Sequence, residues 1–214
     1  MTNDLVSVFE IIFLFVIFGI IHTVLASKKI KLLFEEKAGD LIAFYRLGYN
    51  IISILSFAAI YALIPRTGTN VYELNYPFDF IIIIPQLLAL AGIFWSSKYF
   101  CVKEFFGISQ IVRWMKGEYD KDDLDEEMTL IIDGPYKIIR HPLYFFFIIF
   151  LGCRPTMDLS YATLFLCIVA YFYIGSFYEE KKLAEKFGDD YRKYREKVPR
   201  LFPVKSISSR NSVK

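Results

Sequence analysis

Residues 5–26 read LVSVFEIIFLFVIFGIIHTVLA, an almost unbroken apolar run whose titratable side chains are Glu10 and His22. About 20 apolar residues in a helix are enough to cross a bilayer. A signal peptide would carry Lys or Arg ahead of its apolar core, whereas Asp4 precedes this run. The run is also longer than the apolar core of a signal peptide. The stretch therefore predicts a first membrane span that stays attached to the chain.

Further apolar segments follow at residues 41–64 and 78–97, and Pro85 predicts a kink in the latter. Residues 143–150 are apolar but short, and a longer run covers residues 159–177. We expect these last two to form a helical hairpin whose first arm extends back into the preceding polar segment or does not fully cross. The predicted fold is an all-α, polytopic membrane bundle of about five transmembrane helices.

Composition excludes several classes of protein. The chain has 214 residues, of which 55% are hydrophobic, and this disfavours a disordered, fibrous or disulfide-rich secreted protein. Its net charge of +2 gives no electrostatic case for a nucleic-acid partner. Cys101, Cys153 and Cys167 form no CxxC pair, so no metal site is predicted. The expected partner is the lipid bilayer, and the oligomeric state stays open.

Basic residues are concentrated on one side of the predicted bundle. All of the Lys and Arg residues except Arg66 and Arg154 fall in segments that five spans would place together. The positive-inside rule then puts the amino terminus outside and the carboxyl terminus in the cytoplasm. A site built from the polar segments would be cytoplasmic.

The chain divides into three predicted parts. Residues 1–98 form an amino-terminal, three-helix membrane part. Residues 99–205 supply a cytoplasmic loop, the helical hairpin and a carboxyl-terminal helix, and residues 206–214, rich in Ser, Lys and Arg, are expected to be a disordered tail. The acidic run at residues 120–127 is interpreted as a solvated loop without assigned chemistry.

The carboxyl-terminal helix is predicted to be amphipathic and cytoplasmic. Its apolar residues recur at steps of three or four and are Leu183, Phe187, Tyr191, Tyr194 and Val198. Gly188 interrupts the pattern and argues against one straight helix.

Residues 134–144, GPYKIIRHPLY, are the densest cluster of unusual side chains. His141 precedes a proline and is pushed out of the helical region, while Pro142 suits the first position of the next helix. Arg140 and His141 would then lie beside unpaired backbone N–H groups, a setting that suits a ligand with carboxylate or hydroxyl groups. The alternative is that Arg140 anchors a span in the headgroups and His141 caps a turn.

Glu179 and Glu180 are adjacent carboxylates at the end of the last apolar run. A pair of carboxylates near hydrocarbon is energetically costly and usually pairs with a hydrogen-bond donor or a cation. Arg140 is the obvious candidate for that partner. The alternative is that the pair begins an exposed helix. In the first span, His22 could meet Arg46 or hydrogen-bond within the bundle.

Several motifs together carry a resemblance. They are GPY at 134–136, RHPLY at 140–144, EE at 179–180, FGDDYRKY at 187–194 and VPRLFP at 198–203. In this order they resemble the membrane methyltransferases related to isoprenylcysteine carboxyl methyltransferase. The resemblance implies an S-adenosylmethionine cofactor, held by the loop before the fourth helix and by the last helix with its tail. No strand followed by a GxGxxG turn is present, in agreement with this.

Motifs in the amino-terminal half indicate which branch of these methyltransferases the chain resembles. The segments IHTVLAS at 21–27, YRLGYN at 45–50 and FFGISQ at 105–110 are similar to methanethiol S-methyltransferases and NnrU-type proteins. The implied activity is methyl transfer to a small thiol or other apolar acceptor reached from the membrane. An isoprenylcysteine carboxylate or a phospholipid is the alternative acceptor, and a non-enzymatic membrane scaffold or carrier is the alternative of another class.

The resemblance also implies residue roles. The implied cofactor-binding residues are Tyr136, Arg140, His141, Pro142, Tyr144, Glu179, Glu180 and Tyr191. The two glutamates would bind ribose hydroxyls or the amino group, Arg140 and His141 the carboxylate, and the tyrosines the adenine or sulfonium. The catalytic residues would be Arg140, His141 and His22, with either histidine as the candidate base for a thiol.

Overall fold

The computed structural model describes residues 2–120 and 129–203. The helices of this part are α1 (Thr2–Ala26), α2 (Lys28–Ala38), α3 (Tyr45–Leu63), α4 (Phe78–Ile81), α5 (Ile83–Ser97), α6 (Val102–Phe106), α7 (Ile108–Lys116), α8 (Pro142–Gly152) and α9 (Leu159–Lys197). Two short strands, β1 (Asn70–Glu73) and β2 (Thr156–Asp158), pair with each other. The predicted all-α class is confirmed. The expected tail at 206–214 and most of the acidic run at 120–127 lie outside the described residues.

The chain forms two compact units. The first contains Met1–Val71, Cys101–Thr129 and Asp158–Cys167, and therefore α1 to α3, α6, α7 and the first part of α9. The second contains Tyr72–Phe100, Leu130–Met157 and Ile168–Lys214, and therefore α4, α5, α8 and the rest of α9. The functional division expected between residues 98 and 99 stays a prediction.

Four stretches of the described chain are helical, long and apolar enough to cross a membrane. They are α1, the α2–α3 run, the α4–α5 run and α9, whose apolar part covers residues 159–177. Helix α8 has 11 residues, about 16 Å, roughly half the thickness of the hydrocarbon core. It begins at Pro142, so the first arm of the hairpin does not extend back into the polar segment, and the count of five spans stays a prediction.

Proline and glycine break two of the helices. The break between α4 and α5 lies at Ile82, directly after Ile81. The ring of a proline clashes with the carbonyl of the residue four positions earlier, which for Pro85 is Ile81, so the break lies where Pro85 is expected to act. A kink in the helix axis stays a prediction. In α9, Gly188 has φ 54° and ψ −123°, and the predicted interruption is confirmed there.

Helices α5 and α8 pack closely in the second unit. A Cβ at Gly92 would overlap the ring of Phe146, so glycine permits the close approach of the two helices. Gln86 donates a hydrogen bond of 3.1 Å to the carbonyl of Phe150, which is near the end of α8. This packing fixes α8, whose first residues carry the candidate site.

Candidate functional site

The turn before α8 is shaped by Gly134. Its φ of +57° favours glycine, and a Cβ there would overlap the ring of Tyr99. A short 3-10 turn, Gly134–Lys137, follows, and Pro142 takes the first position of α8, as predicted. His141 precedes it with φ −121° and ψ 64°, outside the helical region. The chain therefore presents Arg140 and His141 at the amino-terminal end of α8.

The segment after α9 runs along these two residues. The N–H of Arg140 donates to the carbonyl of Pro199 at 2.9 Å, and the N–H of His141 donates to the carbonyl of Arg200 at 3.0 Å. These two amides are thus used by the protein itself. The contact brings Arg200, which the sequence analysis does not assign to the site, beside Glu180.

Glu180 is the centre of a buried charge cluster. Its Oε1 lies 2.8 Å from Nη2 of Arg140 and 3.0 Å from Nε of Arg200, and its Oε2 accepts from Nη2 of Arg200 at 3.0 Å. Nε2 of His141 lies 3.3 Å from Oε1. The Glu180 side chain is 4% exposed. The pairing of Arg140 with the acidic pair is therefore confirmed.

The surroundings of Glu180 decide its ionisation. Burial on its own would raise the pKa of this carboxyl. Hydrogen bonds from His141 and Arg200, together with the charge of Arg140, outweigh burial and lower the pKa to about 2. Glu180 is therefore a carboxylate at any physiological pH.

Arg140 also closes the end of α9. Its Nη1 donates to the carbonyls of Arg195 and Val198 at 2.8 and 2.7 Å. Carbonyls in the last turn of a helix have no partner within the helix, and a cation is favourable there. Its Nε donates to Glu180 at 2.9 Å, so the side chain ties the start of α8 to the end of α9.

Glu179 forms a more open edge of the same cluster. Its Oε2 lies 3.3 Å from Nδ1 of His141 and accepts from the hydroxyl of Tyr144 at 3.0 Å. The Glu179 side chain is 46% exposed. The ring of Tyr144 stacks on His141 with centroids 5.3 Å apart and on Phe172 at 4.8 Å. A solvent-accessible carboxylate thus lies beside a row of aromatic faces.

His141 bridges the two glutamates. Burial works to lower the pKa of its imidazole, but hydrogen bonds to Glu179 and Glu180 and their charges outweigh burial, and the pKa is raised. The ring therefore favours the imidazolium form, in which both nitrogens are donors.

The implied tyrosines lie in the same unit. The hydroxyl of Tyr191 is buried and has no hydrogen-bond partner within the described chain. Burial, and then the charge of Glu180, raise its pKa. Burial and the charge of Glu179 raise the pKa of Tyr136 to about 12. The carbonyl of Tyr136 accepts from the hydroxyl of Tyr194 at 2.6 Å, which links the turn before α8 to α9.

His22 belongs to the first unit. Its Nδ1 lies 2.9 Å from Oγ of Ser53, and its Nε2 lies 2.6 Å from the hydroxyl of Tyr49. Hydrogen bonding of His22 within the bundle is therefore observed. Nε of Arg46 donates to the carbonyl of Phe105 at 2.9 Å. A catalytic role for His22 stays a prediction.

Arg200 is the site residue that sequence reasoning missed. The signal was present in the VPRLFP motif at 198–203, and two adjacent carboxylates near hydrocarbon call for more than one cation. Its guanidinium lies 3.6 Å from the centroid of the Phe177 ring, at the end of the apolar part of α9. Arg200 thus holds the tail against both the acidic pair and the span.

No family model matches the chain, and no solved structure matches it. It is 24% identical over 192 residues to methanethiol S-methyltransferase 1 of Bradyrhizobium diazoefficiens, covering 89% of this chain and 65% of the relative. It is 26% identical over 167 residues to methanethiol S-methyltransferase of a Pseudomonas species, covering 75% of this chain and 60% of the relative. The chain thus spans less than two thirds of the length of these relatives.

A eukaryotic relative matches a shorter stretch. Protein-S-isoprenylcysteine O-methyltransferase of Schizosaccharomyces pombe is 35% identical over 83 residues, which cover 37% of this chain and 35% of the relative. The chain is thus similar in sequence to membrane methyltransferases named for methanethiol and for protein S-isoprenylcysteine.

Proposed function

We propose that this chain is an integral membrane methyltransferase that uses S-adenosylmethionine and methylates a small thiol or other apolar acceptor reached from the membrane. The observation that carries the proposal is the meeting of two sequence-distant pairs, Arg140 with His141 and Glu179 with Glu180, in one charge cluster. The cluster lies directly after the apolar part of α9, where a polar cofactor and an apolar acceptor can both arrive. The site is proposed to be cytoplasmic, with the amino terminus outside, because the basic residues follow that orientation.

The residues present fit such a cofactor. The half-exposed carboxylate of Glu179 suits an ammonium or ribose hydroxyls. The faces of Tyr144 and Phe172 offer aromatic surface for a flat base or a sulfonium. The buried hydroxyl of Tyr191 lacks a partner within the described chain, and a buried polar group usually has one.

Glu179 and Glu180 have different roles in this proposal. Glu180 is saturated by Arg140, Arg200 and His141, so it positions His141 and the tail. Glu179 keeps an accessible face and binds the ligand directly. Tyr136, Pro142 and Tyr191 are proposed to contact the cofactor around this edge, with the two tyrosines beside the adenine or the sulfonium.

The chemistry rests mainly on orientation. When bound, S-adenosylmethionine supplies an electrophilic methyl group on a sulfonium. Holding an acceptor lone pair in line with the bond that breaks is worth up to about 7 to 11 kcal/mol in the best intramolecular cases. His141 lies between two carboxylates and can donate hydrogen bonds to both. His22 or His141 is the candidate for taking the proton of a thiol.

The proposed acceptor is inferred from the names of the relatives. Two of them are named for methanethiol, and one is named for protein S-isoprenylcysteine. A small thiol is the proposed acceptor. An isoprenylcysteine carboxylate or a phospholipid amine is the alternative.

Calorimetry with S-adenosylhomocysteine tests the cofactor. The full-length protein in lipid nanodiscs should bind it with measurable heat, and the Glu179→Gln variant should bind it more weakly. Glu185→Gln is the matched control, because Glu185 is exposed on the same helix and pairs with Lys181 at 4.0 Å. Absence of heat from the wild-type protein would instead favour the scaffold or carrier.

Product analysis tests the acceptor. Membranes containing the protein are incubated with labelled methyl donor and a panel of thiols, prenylcysteines and phospholipids. The expected product is the labelled thioether of a small thiol. Label found in a prenylcysteine ester or a phospholipid would overturn the acceptor and leave the cofactor in place.

A further inference from the structure

In helices α6 and α7, polar side chains are buried against the protein and apolar side chains are exposed, which is the reverse of a helix on a water-facing surface. The side chains of Ile108, Val112 and Met115 share one face of α7, and all are exposed, Met115 by 74%. The buried residues are instead polar, with Glu104 in α6 7% exposed and Gln110 in α7 4% exposed. A helix on the surface of a soluble protein buries its apolar stripe. This pair of helices therefore fits surroundings that are themselves apolar.

The inward polar groups pair with one another, although the buried Oε1 of Gln110 has no partner among the described residues. Arg113 donates from Nη1 to Oε2 of Glu104 at 3.0 Å and from Nη2 to Oε1 at 2.8 Å. Gln110 donates to the same Oε1 at 3.0 Å. Charged groups at membrane depth face the protein interior and pair with one another. This ion pair, in which Glu104 is buried and Arg113 is 26% exposed, is thus compatible with a lipid-covered outer face.

Helix α3, which belongs to a predicted span, contacts the junction between α6 and α7. Nε of Arg46 and Nδ2 of Asn50 donate to the carbonyl of Phe105 at 2.9 and 3.1 Å. Gly107 has φ +87°, and a Cβ on it would lie 2.6 Å from the backbone N of Leu47. In lipid, a broken helix is tolerated where protein groups satisfy the freed carbonyls. This contact explains the two motifs at 45–50 and 105–110, which the proposed function does not use.

We propose that α6 and α7 form a helical hairpin embedded in the bilayer at the boundary of headgroups and acyl chains. The partner of its outer face is the phospholipid leaflet. Lys103 and Lys116 are exposed at the two ends of the hairpin, where their ammonium groups reach headgroup phosphates. Helix α3, which contacts the junction of the hairpin, also exposes apolar side chains, among them Ile54 and Leu55.

A single tryptophan reporter tests the hairpin. The chain has two tryptophans, and the background variant carries Trp95→Phe and Trp114→Phe. Met115→Trp then puts the reporter on the outer face. Glu118→Trp is the matched control, because Glu118 is exposed just beyond Gly117, the residue that ends α7. Each full-length protein is reconstituted in vesicles with and without phospholipids brominated on the acyl chains.

The proposal predicts opposite behaviour for the two reporters. The Met115→Trp protein should lose most of its emission in brominated vesicles and resist quenching by aqueous iodide. The Glu118→Trp protein should respond to iodide and barely to bromine. Equal iodide quenching of both, with no loss in brominated vesicles, would overturn the proposal. If Met115→Trp does not reconstitute, Val112→Trp on the same face gives the same comparison.

Discussion

Nη2 of Arg140 lies 2.8 Å from Oε1 of Glu180, with the side chains 8% and 4% exposed. The two residues are 40 positions apart in the chain. A buried ion pair contributes little net stability by itself, because desolvation offsets the attraction. Removing one member is costly, since it leaves the other charge buried without compensation. The pair therefore makes the start of α8 and the middle of α9 depend on each other.

Removal of the Glu180 charge should destabilise the protein strongly. Glu180→Gln leaves Arg140 and Arg200 without their carboxylate, and we expect a loss of about 3–5 kcal/mol in the free energy of unfolding. Denaturant titration in detergent micelles measures it. The control, Glu185→Gln, removes one member of an exposed pair and should cost less than about 1 kcal/mol. Similar losses for both variants would contradict the structural role of Glu180.

The neighbouring carboxylate should behave in the opposite way. Glu179→Gln removes a half-exposed charge, so we expect little change in unfolding free energy. It removes a charge-assisted contact to the ligand, so the affinity for S-adenosylhomocysteine should fall by about tenfold or more, a loss of at least about 1.4 kcal/mol. Calorimetry and denaturation of one preparation measure both quantities. A loss of stability with unchanged affinity would reverse the division of roles.

Arg200 should act through Glu180. Arg200→Ala removes two hydrogen bonds to the carboxylate and the contact with Phe177. In a double-mutant cycle with Glu180→Gln, the unfolding free energies should be non-additive by about 0.5–3 kcal/mol. Phe177→Leu is the companion variant, because it removes the aromatic contact and leaves both hydrogen bonds. Strict additivity would mean that Arg200 stabilises the tail independently of the acidic pair.

Stability should decline with rising pH because of His141. The pKa of His141 is raised in the folded protein above the ordinary value of about 6.5. Between the ordinary pKa and the raised pKa, the folded protein therefore binds a proton that the unfolded chain has lost. The stabilisation is complete below about pH 6.5 and disappears as the pH rises through the folded pKa. Thermal unfolding of wild type and His141→Gln across this range measures it. Parallel pH profiles of the two proteins would show that His141 does not stay protonated.

Close packing of α5 on α8 should make Gly92 sensitive to enlargement. Gly92→Ala puts a methyl group into the ring of Phe146, and overpacking of this kind costs about 1–3 kcal/mol. Gly175→Ala is the control, since nothing lies within 4 Å of its position and alanine is the better helix former. Thermal unfolding should show a lower midpoint for the first variant and an equal or higher midpoint for the second. The reverse order would contradict the packing.

The sequence was most informative where one residue enforces the backbone. Apolar run length located the spans, Pro85 and Gly188 marked real breaks, and Pro142 marked the start of α8. The pairing of Arg140 with the acidic residues also followed from chemistry, because few cations are available near the end of a span. These inferences depend on local sterics or on charge near hydrocarbon, both of which a single sequence shows.

Other features depend on contacts between distant segments. Nothing local to Arg200 says that its carbonyl and side chain will both reach the site, because that requires the tail to fold back along residues 140–141. Adjacent glutamates look identical in sequence, yet Glu180 is buried and Glu179 is half exposed. The outward apolar face of α7 is likewise invisible in its periodicity, which is the same whichever side faces the protein.

Photochemical cross-linking of labelled S-adenosylmethionine reports where the cofactor lies in this protein without requiring an acceptor. The full-length protein is irradiated in nanodiscs with the labelled cofactor, digested and analysed by mass spectrometry. We expect label on peptides that contain residues 136–144 or 179–191, and loss of this label in Glu179→Gln. Label confined to other segments, or none that excess S-adenosylhomocysteine displaces, would contradict the proposed site.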